Sequence, residues 1–171
     1  MRYRVYLGLG SNIGPRLEHL TAAVANIGQV ARVTAVSSVY ETEPVGMEGA
    51  DDFLNMAVGI ETDDDPPLLL VKLRKIEKTM GRKPSSHHGP RIIDIDILLY
   101  RGMTYDDHMV RVPHPQLHRR RFALEPLNEI APTALHPTME KTVGWLLRNC
   151  RDSHRVLLAG SLPDAVHVTA D

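Results

Sequence analysis

The chain is poor in cysteine and aromatics and carries almost no net charge, and each shortage narrows what it can do. Among 171 residues there is one cysteine, Cys150. An intramolecular disulfide framework is therefore excluded, and a reducing, cytoplasmic setting is expected. Phe, Trp and Tyr make up only 5% of the sequence, which leaves little for the exposed stacking platforms of sheet proteins that bind RNA. The formal net charge of −1 gives no electrostatic reason to bind nucleic acid or an anionic membrane. No apolar run reaches the ~18–20 residues of a membrane helix. The opening Met1-Arg2-Tyr3-Arg4-Val5-Tyr6-Leu7 is too short in apolar residues for a signal peptide. What is left is one globular domain over residues 1–171, long enough to bury a core.

Periodicity and punctuation order the elements. Residues 3–8 read as a strand ended by Gly8, Gly10 and the turn Ser11-Asn12-Ile13-Gly14. Pro15 suits the first position of a helix, whose apolar stripe is Leu17, Leu20, Val24 and Ile27 and whose end is Gly28. Residues 30–41 alternate as a second strand, 43–52 form a loop, and 53–61 are a third strand. Asp63-Asp64-Asp65-Pro66-Pro67 starts a second helix, with acids at the positive end of its dipole and proline in its first turn. Leu69, Leu73, Ile76 and Met80 line that helix and Gly81 closes it; a polar loop to Gly89 and a strand over 91–100 follow. The order β-α-β-β-α-β predicts an α+β, ferredoxin-like core: an antiparallel sheet with the two helices on one face. Beyond it the pattern weakens. It predicts a short strand over 110–112, a helix over 117–127 broken at Pro126, and a short helix over 142–149. The C-terminal extension after Cys150 alternates too weakly to assign.

The strand over 91–100 contains a conflict. Its sequence, Arg91-Ile92-Ile93-Asp94-Ile95-Asp96-Ile97-Leu98-Leu99-Tyr100, is β-branched and apolar, as a buried strand should be, yet it holds two acids. Alternation puts Asp94 and Asp96 on one face and Ile93, Ile95 and Ile97 on the other. Two carboxylates roughly 7 Å apart along a strand repel unless a cation lies between them, and hard ions such as Mg²⁺, shared with substrate phosphates, suit that spacing. Arg91 strengthens the case for a phosphate site, because guanidinium matches phosphate oxygens bidentately. A solvated strand face is the alternative.

Further motifs fall in order: Gly10-Ser11-Asn12, Ser38-Val39-Tyr40-Glu41-Thr42-Glu43-Pro44-Val45-Gly46, Phe53-Leu54-Asn55, Gly89-Pro90-Arg91 with the acidic strand, Val112-Pro113-His114, and Arg120-Arg121-Phe122. Together they closely resemble the 6-hydroxymethyl-7,8-dihydropterin pyrophosphokinase family, from about Tyr3 to Pro137. The resemblance implies transfer of pyrophosphate from ATP to the pterin hydroxymethyl in folate biosynthesis, with release of AMP, two Mg²⁺ ions and a monomeric protein. It implies Asp94 and Asp96 as metal ligands, and Arg82, Arg91 and Asp96 as catalytic groups. Arg74, Glu77, Arg82, Arg91, His114 and Arg120 are implied to contact ATP. Thr42, Pro44, Val45, Phe53, Asn55 and Phe122 are implied to hold the pterin, with the phenylalanines stacking on it and the amide reading its edge.

Blander accounts stand beside several of these roles. Arg119-Arg120-Arg121 can be a solvated helix face, Phe53 and Phe122 ordinary core, Arg74 and Glu77 a surface ion pair, and His114 a loop histidine. The chain also departs from the family pattern. His87 and His88 stand in a lid-like loop over 81–89 where many relatives carry an aromatic before Gly-Pro-Arg. Met109 stands where a basic residue is common, with Arg111 two positions later. A different Mg²⁺-dependent transferase on the same scaffold would keep the acids and arginines but would not need Phe53, Asn55 and Phe122.

Overall fold

The computed structural model describes residues 1–47, 49–83 and 90–163; residues 84–89 of the lid-like loop, His87 and His88 among them, fall outside these. Its center is an antiparallel sheet whose two faces each bury a separate apolar cluster. β1 (Tyr3–Ser11) lies between β4 (Phe53–Thr62) and β5 (Asp94–Tyr100), and α1 (Arg16–Ile27) connects β1 to β2 (Arg32–Val36). β2 and β3 (Val39–Thr42) both pair with β4, and α2 (Pro66–Thr79) returns the chain to β5. This is the expected split βαβ arrangement, with its second strand in two pieces. The break falls at Ser37, whose hydroxyl accepts from the Ala57 amide at 2.8 Å, and Ser38, whose amide and hydroxyl donate to Glu129 at 2.9 and 2.8 Å.

α1 and α2 pack on one face because their apolar stripes point there. Leu20, Ala23, Val24 and Ile27 of α1 and Leu69, Leu73 and Ile76 of α2 meet Val5, Leu7, Leu9, Ile95 and Ile97. Each such Val, Leu or Ile side chain contributes about 1.5–3 kcal/mol on full burial. Leu17 is exposed, so the stripe of α1 begins one turn later than the sequence indicates. α2 starts as read: Asp65 caps it, accepting from the Leu68 amide at 3.1 Å, with proline in the first turn.

The final third covers the other face. A hairpin of β6 (Tyr105–Asp106) and β7 (Arg111–Val112) leads through a 3-10 turn, Leu117–Arg119, into α3 (Arg121–Ile130). A second hairpin, β8 (Leu135–His136) with β9 (Lys141–Thr142), precedes α4 (Val143–Arg148). Pro126 lies within α3 rather than breaking it. One helical hydrogen bond is lost, but burial of Ala123, Leu124, Pro126 and Leu127 outweighs it. The unassigned C-terminal extension supplies β10 (Val156–Gly160), an edge strand antiparallel to β3. Among the described residues no helix is long and apolar enough to cross a membrane.

Two features of the sheet prepare the site. β1 does not stop at Gly8: it continues to Ser11, so Gly8 and Gly10 are mid-strand residues opposite Asp96 and Asp94. The pairing of β1 with β5 slips between Tyr6 and Leu7, leaving Leu98 as an extra residue on β5. Ile95 and Ile97 thus face α1 and α2, whereas both Leu98 and Leu99 join the core under α3.

Candidate active site

Strand register places the polar residues in rows across the α3 side of the sheet. Asn55 on β4, Gly10 on β1 and Asp94 on β5 are mutual partners in one row; Ala57, Gly8 and Asp96 form the next. Thr42 on β3 pairs with Phe53 on β4. The glycines matter because nothing rises from the floor between the acids and the amide. A Cβ on Gly10 would lie 2.5 Å from Asn55 Oδ1 and 3.4 Å from Phe53 Cδ1, and one on Gly8 would press on Leu98 at 3.2 Å.

Above this floor is a cavity of about 220 Å³. Thr42, Val45, Phe53, Asn55 and Phe122 line its apolar end, together with Glu43 and Met47; Arg91, Asp94, Asp96 and Arg120 line its charged end. A narrow recess below it reaches Gly8, Gly10, Leu117 and His114. The structure thus brings together the residues expected for the pterin, apart from Pro44, which is not on the cavity wall, and sets them beside the acidic pair. Both phenylalanines are only partly buried and line the cavity, although Phe122 also packs against the core under α3. Asn55, 8% exposed, donates its amide to Thr42 Oγ1 at 2.7 Å, which fixes its rotamer and leaves its oxygen over Gly10. The Arg120 guanidinium lies 5.7 Å over the Phe122 ring, a cation–π distance.

The charged end is a network. Asp94 accepts from Arg82 at 2.7 Å and from Arg91 at 3.0 Å. Glu77 is 2% exposed and fully engaged: it accepts from Arg74 at 2.5 Å, from Arg82, and from the Ile95 amide at 3.1 Å. It therefore ties the end of α2 to β5 and holds Arg82 against Asp94. Arg74 is half-exposed. For Arg82, burial opposes the charge, but Asp94 and Glu77 outweigh it and raise the pKa. Burial, then the neighbouring Asp94, pushes the Asp96 carboxyl up to about 7, against the pull of Arg120 and Arg74. Arg91 is placed by its backbone: its amide donates to Asn12 Oδ1 at 2.6 Å and its carbonyl accepts from the Asn12 amide at 3.1 Å.

His114 stands between this site and a second, more open cavity of about 530 Å³, bordered by Arg111, His118 and His136. Burial, then Arg120, lowers His114 to about 4, so its ring is neutral, and its Nδ1 accepts from the Gln116 amide at 3.1 Å. Met109 is exposed, and Arg111 pairs with Asp106 at 3.1 Å. The three consecutive arginines separate: Arg119 is exposed, Arg120 lines the cavity, and Arg121 binds the carbonyl of Asp152 at 3.0 Å and that of Cys150 at 3.4 Å.

Asp94 and Asp96 suit a hard divalent cation. Their donors are all oxygen, they share a face, and a cation between them would favor the ionized form that burial disfavors in Asp96. Two carboxylates leave most of the coordination to water or phosphate oxygens, the usual arrangement for Mg²⁺. Among the described residues no group of three or more His, Cys, Asp or Glu side chains forms a closed metal cage. Sequence reasoning missed Gly8, Gly10, Asn12, Glu43 and Met47. Glycine at every second position of an otherwise apolar strand was the available signal for the first two.

Several known proteins similar to this chain share one family name. The family model for 7,8-dihydro-6-hydroxymethylpterin-pyrophosphokinase (HPPK) matches residues 6–132. The 2-amino-4-hydroxy-6-hydroxymethyldihydropteridine pyrophosphokinase of Aquifex aeolicus is 42% identical over 137 residues, covering 80% of this chain and 86% of that protein. Its namesake in Bacillus subtilis is 47% identical over 127 residues, covering 73% and 76%. A crystal structure of Plasmodium falciparum HPPK-DHPS superposes with a TM-score of 0.73 at 17% identity, over 86% of this chain and 45% of that longer one, so the chain spans less than half its length. That structure speaks for the fold alone, but the sequence matches reach further: this chain belongs to the 7,8-dihydro-6-hydroxymethylpterin-pyrophosphokinase family.

Proposed function

We propose that the protein transfers pyrophosphate from ATP to 6-hydroxymethyl-7,8-dihydropterin, giving the pterin diphosphate and AMP in folate biosynthesis. One observation carries this reading: a single cavity sets two partly exposed phenylalanines and a fixed asparagine beside two carboxylates and an arginine cluster. A flat, polar heterocycle fits between Phe53 and Phe122, with its edge toward Asn55 and Thr42. Its hydroxymethyl would then point at Asp96, and the triphosphate would lie along Arg82, Arg91 and Arg120. His114 stands where a nucleotide would pass toward the second cavity.

In this reaction the hydroxyl oxygen bonds to the β-phosphorus, the bond from that phosphorus to the bridging oxygen of AMP breaks, and the hydroxyl proton is released. Positioning and charge neutralization do most of the work in such transfers. Arg82 and Arg91, oriented by Asp94 and Glu77, meet charge on the transferring group. Asp96 is placed beside the attacking hydroxyl, where its carboxylate, kept ionized by a bound cation, can accept the proton. Bound Mg²⁺, for which we propose two ions held by Asp94 and Asp96 together with phosphate oxygens, supplies further charge neutralization. We expect the enzyme to act in the cytoplasm as a monomer.

The test is AMP formation from Mg-ATP in the presence and absence of 6-hydroxymethyl-7,8-dihydropterin, beside an Asp94→Ala, Asp96→Ala control. Pterin-dependent AMP that the control abolishes is the expected result. No AMP from folded protein that binds an ATP analogue would transfer the scaffold to another acceptor alcohol and refute the pterin assignment.

A further inference from the structure

The cavity's outer wall belongs to segment 43–52, which joins β3 to β4 and contributes Glu43, Val45 and Met47. What fixes the two ends of that segment lies far away in sequence, just before the C-terminal strand and beyond the stretch matched by the family model. β10 runs beside β3, with Val156 opposite Thr42. Just before it, Arg155 accepts from the Glu43 amide at 3.2 Å through its carbonyl, and its own amide donates to the Glu43 carboxylate. Its guanidinium crosses to the other end of the segment and pairs with Asp52 at 2.8 Å. Arg16 completes the link from below, donating to the Asp52 carbonyl at 2.7 Å and pairing with Glu41 at 3.1 Å. Two ion pairs, Arg16 with Glu41 and Arg155 with Asp52, are thus joined through the Asp52 backbone, and Arg155 reaches Glu43 through its own backbone. Asp52 is the residue before Phe53 and Glu43 the residue after Thr42, so this chain of contacts acts on both sides of the aromatic end of the cavity.

We infer that Arg155 is a positioning residue for acceptor binding: by holding Glu43 and Asp52 together it sets where the wall of Val45 and Met47 stands relative to Phe53. This rests on the reading of that cavity end as the pterin pocket. The approach to β10 is itself anchored beside the site, since the Arg121 amide donates to Asp152 Oδ2 at 3.0 Å. Arg155→Ala leaves the two backbone contacts to Glu43 in place and removes the exposed guanidinium pair with Asp52, and a single exposed ion pair has a small effect. Removal of the Arg155 side chain should therefore weaken acceptor binding about twofold to fivefold. The effect should shrink at high salt, because the Asp52 pair is exposed and screened.

The experiment compares the full chain with Arg155→Ala and Arg155→Lys. It measures the Kd for 6-hydroxymethylpterin by fluorescence, the Kd for an ATP analogue, and amide hydrogen exchange over segment 43–52 without ligand. The expected result is faster exchange in that segment and an about twofold to fivefold higher pterin Kd in Arg155→Ala. Partial recovery in Arg155→Lys, an unchanged nucleotide Kd and a difference that fades in 1 M NaCl should accompany it. Unchanged exchange, or faster exchange with an unchanged pterin Kd, overturns the inference. So does a parallel loss of pterin and nucleotide affinity, which would mark general destabilization. Failure of the parent protein to bind the pterin while binding nucleotide would instead overturn the pocket assignment, and this role of Arg155 with it. The exchange data alone would still decide whether the clamp exists.

Discussion

Glu77 offers the sharpest test of how the charged end is built. It is buried to 2% exposure, and its oxygens accept from Arg74, Arg82 and the Ile95 amide. With its oxygens so engaged, the carboxylate acts on the reaction through Arg82, which it holds against Asp94. Glu77→Gln preserves shape and lets one oxygen keep the Ile95 amide and Arg82, but it turns an NH₂ toward Arg74 and removes the charge that holds Arg82. Removing one partner of a buried ion pair costs about 3–5 kcal/mol. Arg74 is half-exposed and adds at most about 1 kcal/mol. Arg82 keeps Asp94, so a net loss of about 3 kcal/mol is expected, or roughly 6–12 °C in Tm for a chain of this size. Calorimetry gives the Tm, and AMP release gives kcat and KM separately. Misorienting one charge-assisted contact to the transferring group should lower kcat about 10- to 100-fold while the ATP KM changes little. An unchanged Tm with a raised ATP KM alone would make Glu77 a direct nucleotide ligand and refute the positioning role.

Two further outcomes follow from the floor and the acids. Gly10→Ala should raise the pterin Kd at least about tenfold, because its Cβ would lie 2.5 Å from Asn55 Oδ1 and displace the amide from Thr42; the overpacking should cost about 1–3 kcal/mol of stability. Gly8→Ala, which meets the flexible Leu98 side chain, should be milder, and equal effects of the two on pterin binding would contradict the account. Asp96→Asn should abolish transfer yet stabilize the ligand-free protein at pH 8. The folded-state pKa of about 7 exceeds the unfolded value, so the native state holds the extra proton and loses stability as pH rises from about 4 to 7. The penalty above pH 7 is on the order of 4 kcal/mol. The gain in Tm should largely vanish at pH 4.5; an equal gain at both pH values would show that ionization of Asp96 is not its source.

Local chemistry made much of this molecule readable. Asp65 before two prolines started α2, because a carboxylate cap and a fixed φ act within one turn. Alternation in β5 put Asp94 and Asp96 on one face and Ile95 on the other, because that period is a property of the strand itself. Other expectations failed where the deciding partner was remote. Gly8 and Gly10 resembled strand breakers, but pairing with both β4 and β5 carries β1 through to Ser11. The strand over 30–41 divides because Glu129, some 90 residues on, captures Ser38. Pro126 stays helical because the sheet face it covers is apolar.

The same division holds for the site. Sequence alone determined which chemical groups were present and in what order, since acids, arginines, phenylalanines and an asparagine are written in the chain and the helix and strand periods act locally. Only the tertiary structure decided that Asn55, Gly10 and Asp94 form one row, that Glu77 is buried behind Arg82, and that Arg155 closes over segment 43–52. Each of these depends on register and packing between segments far apart in the chain, where the energy of one contact is set by neighbors that no local window contains.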